Sequence, residues 1–231
     1  MDLRNRLTEN AREALLAIRP DFLEVPAGRD VVKPDQTVDE ACLVEEGVVG
    51  RYERFRDGTR RTTTLYIAGD MADLHSIAFP RASWGLSALT ASVILKIPHD
   101  ILRSLADAHP EIALAFWRDT TVDASALSKW VSVLSRQQAL RRFAHLLCEY
   151  GFRTELAGLG SRRSFTLPIT QAAIAEILGV TPTHVIRVVT ELRERRLIST
   201  SRRSVDVLNL RALEDLADFD PSYLLLDNDE G

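Results

Sequence analysis

QAAIAEILGVTPTHVIRVVT, residues 171–190, is the stretch on which the fold turns. Ile174, Ile177 and Leu178 recur at helical spacing before its midpoint, and Val185, Val188, Val189 and Leu192 recur at the same spacing after it. Between the two sets stand Gly179, Thr181 and Pro182. Glycine can take the positive φ that ends a helix, threonine can cap the next one, and proline suits a first helical turn. Ala175 is small where a second helix has to cross closely. Ile174, Leu178, Val180, Val185 and Val188 are the larger apolar positions that pin the pair. Few amphipathic helices meet all these demands, so the stretch reads as a helix–turn–helix.

The second helix then turns Thr183, His184, Arg187 and Glu191 outward. Arginine is the common bidentate partner of guanine O6 and N7, and Arg187 lies one turn from the helix start, where base edges come within reach. The blander alternative is a phosphate contact, or an ion pair with Glu191. Thr170 and Gln171 open the first helix, where a hydroxyl, an amide and backbone N–H groups can hold phosphates. Downstream, LISTSRRSVDVLNL reads as strand, turn, strand, with Arg202 and Arg203 at the turn as further phosphate candidates. A helix over 137–150 (QQALRRFAHLLCEY) and a strand FTLPI precede the pair, which completes the order of a winged helix.

Charge supports a polyanionic partner. The net charge of −4 conceals a stretch, residues 136–203, with 12 arginines, no lysine and 5 acidic residues. Residues 204–231 hold one arginine against 8 acidic residues. The basic excess coincides with the helix–turn–helix, which makes double-stranded DNA the expected partner.

The first hundred residues read differently. Residues 3–18 suggest an amphipathic helix through Leu7, Ala11, Leu15 and Ile18. From about 22 to 98, short β-branched runs are cut by glycines, and Asp57-Gly58 suits a two-residue hairpin turn. This is the pattern of a small antiparallel barrel or roll. HDILRSLADAH is a short helix stopped by Pro110. A long helix follows over 111–134, with Ile112, Ala115, Val122, Ala126 and Val133 in one stripe. That stripe is open to two readings, an intramolecular core or the seam of a two-fold dimer.

Other classes find little support. The start, MDLRNRLTEN, holds no signal-like apolar run, and no window approaches the ~18 apolar residues of a membrane span. With only Cys42 and Cys148, a reducing, cytoplasmic setting without a membrane partner is expected. A cupin-like metal enzyme would need clustered histidines, yet of five only His75 lies well inside the roll. No nucleophile–base motif or glycine-rich phosphate loop appears, so no catalytic residue and no metal ligand is assigned. The remaining rival is a winged helix used for protein contacts alone, against which the arginine excess speaks.

Three stretches carry a resemblance: EEGVVGRYERFRDGTRR with the following IAGDM, SALTASVILKIP, and ITQAAIAEILGVTPTHVIRVVTELRERRLIS. They resemble the Crp/Fnr family of bacterial transcription regulators, the catabolite-activator type, and the likeness runs over essentially the full length. It implies an α+β fold with an N-terminal cyclic-nucleotide-binding-like β-roll, a long dimerisation helix and a C-terminal winged helix-turn-helix. The expected divisions are an N-terminal helix 1–19, the roll 20–98, the dimerisation helix 99–135, the DNA-binding domain 136–211 and an acidic tail 212–231, placed on the roll or the basic wing. A homodimer on a pseudo-palindromic operator follows, with RNA polymerase a further partner if the protein activates.

In the family the position of Arg187 reads guanine. Pro182 and Thr183 stand where many members carry an Arg–Glu pair, so the rest of the half-site does not carry over. Effector contacts would fall on Gly69, Asp70, Arg81 and Ser83, but Ala72 replaces a wanted glycine and Arg81-Ala82-Ser83 is displaced. Neither a cyclic nucleotide nor a haem on His75 and Cys42 is supported, the N-terminal cysteines of iron–sulfur members are absent, and no cofactor is evident.

Overall fold

Where short runs of Val, Ile, Thr and Tyr are cut by Gly and Pro, the chain forms seven strands: β1 (Asp21–Val25), β2 (Asp30–Val32), β3 (Glu40–Glu46), β4 (Val48–Arg54), β5 (Arg60–Ile67), β6 (Gly85–Ala88) and β7 (Ser92–Pro98). The computed structural model describes residues 7–224, in which 7–125 make one unit and 126–223 another. The seven strands pair antiparallel in two sheets, ordered β1-β7-β3 and β2-β6-β4-β5. One core cluster draws on both sheets, with Val25, Val44 and Ile94 from the first and Val49, Tyr66 and Leu86 from the second. Gly47 makes the corner between β3 and β4. It sits at φ +90°, and a Cβ there would fall 2.3 Å from Ser92 Oγ, so no side chain fits.

The β4–β5 hairpin differs from the two-residue turn expected at Asp57-Gly58. Phe55 N–H donates to Thr59 O and Gly58 N–H to Phe55 O, each at 2.9 Å, which leaves a three-residue loop of Arg56, Asp57 and Gly58. Asp57 Oδ1 accepts from the Thr59 N–H at 2.9 Å and from its hydroxyl at 2.7 Å. Asp-Gly serves both loop lengths because each needs positive φ at the glycine; the bonds to Thr59 favour the longer.

The N-terminal helix is α1 (Glu9–Leu16), capped by Thr8, whose Oγ1 accepts the Ala11 N–H at 3.3 Å. The first six residues of that expectation lie outside the described residues. After the roll come α2 (His99–Ala108) and α3 (Pro110–Arg136). At 27 residues, α3 is about 40 Å long. Ala41, Met71, Leu74, Ile97 and Leu102 form a second cluster with Phe116 packed on it, which fastens α2 and the start of α3 to β3 and β7. Ile112, Ala115, Val122 and Val133 are at most 6% exposed, so most of the predicted stripe is core, with Ala126 half-buried. Another face of α3 leaves Leu114, Trp117 and Val131 exposed by 46%, 75% and 67%.

The second unit holds α4 (Ala139–Leu156), β8 (Ser164–Thr166), α5 (Gln171–Leu178), α6 (Pro182–Glu194), β9 (Ile198–Ser201), β10 (Ser204–Val207) and α7 (Leu210–Ala217), with a sheet ordered β8-β10-β9. α4 runs past the expected end at 150. Gly151 does not break it but makes room for a ring, since a Cβ there would lie 2.7 Å from Phe165 Cε1. α7 crosses the boundary expected at 211/212. The acidic tail, expected on the roll or the wing, thus begins with a helix that packs on α4, burying Leu213 and Ala217, and residues 225–231 lie outside the described residues.

Two adjacent arginines of α4 cap three helices. Arg142 donates to Leu178 O at the end of α5 (2.9 Å), to Leu134 O near the end of α3 (2.8 Å) and to Gln137 O just beyond it (2.7 Å). Arg141 donates to Leu216 O of α7 at 2.9 Å. A helix C-terminus presents unpaired carbonyls at the negative end of its dipole, so a guanidinium there satisfies bonds and charge together. Further along α4, the carboxylate of Glu149 accepts from the Trp130 indole N–H of α3 at 3.0 Å and from the Tyr223 hydroxyl. Burial pushes this carboxyl up; His145, Arg153 and Tyr223 more than offset that and hold it below the ordinary glutamate range.

Arg142→Ala is expected to destabilise the chain by about 1–3 kcal/mol by stranding these carbonyls, read as a lower urea midpoint. Arg142→Lys should recover only part, because an ammonium lacks the planar fork of donors. An unchanged midpoint for Arg142→Ala would contradict the capping role.

Candidate nucleic-acid interface

The helix–turn–helix is built from local bonds that its sequence dictates. Thr170 Oγ1 accepts the Ala173 N–H at 3.1 Å and starts α5. Gly179 ends it in the left-handed region at φ 66°, and the Val180 N–H reaches back to Ala175 O at 3.0 Å. Thr181 Oγ1 accepts the His184 N–H at 3.3 Å, and Pro182 occupies the first turn of α6. The two axes turn by 93°. Leu178, Val185 and Leu192 are fully buried and Ala175 is 3% exposed. Each large side chain buried this way contributes about 1.5–3 kcal/mol, so the angle between the helices is firmly held.

On the outer face of α6, Thr183, His184 and Arg187 are exposed. Glu191 pairs with Arg195 one turn on, so the ion pair considered between Arg187 and Glu191 is not made. The Arg187 side chain has no hydrogen bond or ion pair among the described residues. Thr170 and Gln171 are exposed at the start of α5; the Thr170 oxygen is engaged in its cap while its O–H stays free to donate. Arg202 and Arg203 form the turn of the β9–β10 hairpin, both exposed, with Arg202 at φ 54°. The Leu167 N–H donates to Arg203 O at 2.8 Å, which ties the turn to the strand region after β8.

The outer face also includes Ile186, 49% exposed, and Thr190, neither of which was singled out in the sequence. Counting three and seven from Thr183 finds them. Arg142 left no comparable signal, since nothing in ALRRF separates the exposed Arg141 from the half-buried Arg142.

The candidate effector residues have local engagements. Asp70 closes a turn by accepting the Ile67 N–H at 2.8 Å, and the Gly69 N–H donates to Val44 O at 2.8 Å. Arg81 instead pairs with Asp35 at 3.1 Å, both exposed, and Ser83 is exposed nearby in sequence. The two pairs of residues are thus anchored to different parts of the roll. Cys42 is fully buried, and burial followed by the Asp73 charge pushes its thiol up. His75 lies against Trp84, and burial together with the Arg51 charge holds its imidazole below the usual range. Among the described residues no group of three or more His, Cys, Asp or Glu is placed to hold a metal ion.

Comparison with known proteins agrees with this geometry. Residues 22–109 match the model of the cyclic nucleotide-binding domain, and residues 141–216 match that of the Crp-like helix-turn-helix domain. The fumarate and nitrate reduction regulatory protein of Vibrio cholerae is 23% identical over 193 residues, which cover 84% of this chain and 77% of that one. The nitrogen fixation regulation protein FixK of Rhizobium meliloti is 28% identical over 191 residues, covering 82% and 83%. Among solved structures, FixK2 from Bradyrhizobium japonicum superposes with a TM-score of 0.78 at 20% identity, covering 86% of this chain and 98% of that one, a likeness of fold. With a roll, a long helix and a winged helix–turn–helix in this order, the chain belongs to the Crp/Fnr family of DNA-binding transcription regulators.

Proposed function

We propose that the chain works in the cytoplasm as a homodimer whose two α6 helices read a pseudo-palindromic operator, by binding and without catalysis. The observation that carries this reading is Arg187: exposed, unpaired among the described residues, and set one turn into a helix whose direction is held by a buried 93° break. Arg187 then reads a guanine, with Thr183 and His184 beside it at the groove. Thr170 and Gln171 hold phosphates at the start of α5, and Arg202 and Arg203 hold them from the wing.

The dimer rests on α3. Leu114, Trp117, Thr121, Ala124, Ser128 and Val131 are all exposed and follow one another by three and four residues, the spacing of a coiled-coil seam. The small residues at 121, 124 and 128 let two such helices approach closely. A two-fold axis through this seam places half-sites about one helical turn apart, ~34–36 Å.

Arg187→Ala should cost ~1–3 kcal/mol on the selected site and relax preference at one base pair per half-site. Arg203→Ala should weaken all sequences about equally and lower the salt slope by about one. Uniform weakening by Arg187→Ala would remove its base-reading role. Trp117→Glu is expected to give a folded monomer in sedimentation with specific binding lost; a persisting dimer would place the seam elsewhere.

A further inference from the structure

A charged side chain in a small roll ordinarily faces water, yet Arg51 of β4 is 3% exposed. It donates from Nη1 to Asp123 Oδ2 of α3 at 2.8 Å and from Nη2 to Thr64 Oγ1 of β5 at 3.0 Å. The Tyr66 hydroxyl donates to the same carboxylate, 3.3 Å from Oδ1. The Trp84 ring covers the guanidinium at 4.8 Å, and the Tyr66 ring flanks it at 5.9 Å. His75 closes on Trp84 with ring centroids 4.5 Å apart. The Arg51 side chain keeps 4% of its exposure and that of Asp123 29%, so the pair is shut in on the arginine side and open on the helix side. The segment after β5, which bears all four candidate effector residues, thus supplies the aromatic cover of an ion pair internal to the chain.

We propose that Arg51 and Asp123 form an internal clasp that stands in for a bound effector, holding α3 on the roll so that the dimer binds its operator with no small molecule added. This rests on the DNA-reading function above. A ligand reaching Arg51 would first have to displace Asp123 or lift Trp84. Removing one partner alone leaves a buried charge without its counter-ion, the costly way to break such a pair, so the clasp holds while both are present. Asp123 sits on the helix that carries the dimer seam, so a change at the roll acts on that helix directly.

The test uses the full-length protein, wild type and Asp123→Asn, with two readouts. Hydrogen exchange follows α3 over residues 113–127 and the covering segment over residues 71–84. Duplex binding at fixed salt follows the selected operator and a random sequence, with nothing added. The wild type is expected to bind its operator specifically. Asp123→Asn should speed exchange in both segments and weaken operator binding by about 5–150-fold, the usual range for coupled sites, while leaving random-sequence binding unchanged. Trp84→Leu uncovers the pair without stranding a charge and should shift both readouts the same way by less; it serves if Asp123→Asn does not fold. Wild-type exchange and affinity in the folded variants would overturn the clasp, as would a wild type that becomes specific only on adding a small molecule. Loss of all salt-sensitive duplex binding would instead sink the DNA-reading function, and the exchange data would still decide whether the pair holds α3.

Discussion

One guanidinium ties the helix–turn–helix to the end of α3. Arg142 takes the last carbonyl of α5, a carbonyl near the end of α3 and the carbonyl that follows α3, each within 2.9 Å. The same guanidinium thus holds the ends of the two helices to one another, and its loss would cost about 1–3 kcal/mol. The break at Gly179 then fixes α6 relative to α5, through a left-handed glycine, a threonine cap and three fully buried side chains. The direction of α6 is therefore referred, bond by bond, to the C-terminal end of α3.

α3 is accordingly the element on which the rest converges. Its buried stripe joins the protein interior, and its exposed stripe supplies the seam of the proposed dimer. Asp123 engages Arg51 in the first unit, and Trp130 engages Glu149 in the second. Both engagements are charge-assisted hydrogen bonds with a partly or wholly buried partner, which makes each directional as well as strong. Each unit thus holds its own part of α3 through a charged side chain.

How far the sequence foretold this follows from the range of the interactions. The helix–turn–helix was legible because its determinants lie within some twenty residues: Ala175, Gly179, Thr181 and Pro182 each answer a local steric or bonding demand. The roll was legible as a kind of structure but not as a topology, since β1 pairs with β7 and β2 with β6 across long intervals and no local signal selects those partners. No local signal in VVGRYERF marks Arg51, because the carboxylate it pairs with, Asp123, lies 72 residues away. From sequence the possible seam falls on the other face, because α3 carries two stripes. The more apolar one, through Ile112 and Val122, is claimed by the core, while the exposed one mixes Trp117 and Val131 with Thr121 and Ser128. Loop length at Asp57-Gly58 was ambiguous because the same dipeptide satisfies both geometries.

The most direct measurement is a selection of random duplexes by the purified wild-type protein at fixed, near-physiological salt with no small molecule added. Enrichment of a palindrome with a guanine in each half-site, the halves about one helical turn apart, is the expected result. Salt-sensitive binding with no enriched sequence would contradict a competent ligand-free reader, and an enriched site without two-fold symmetry would contradict the α3 dimer.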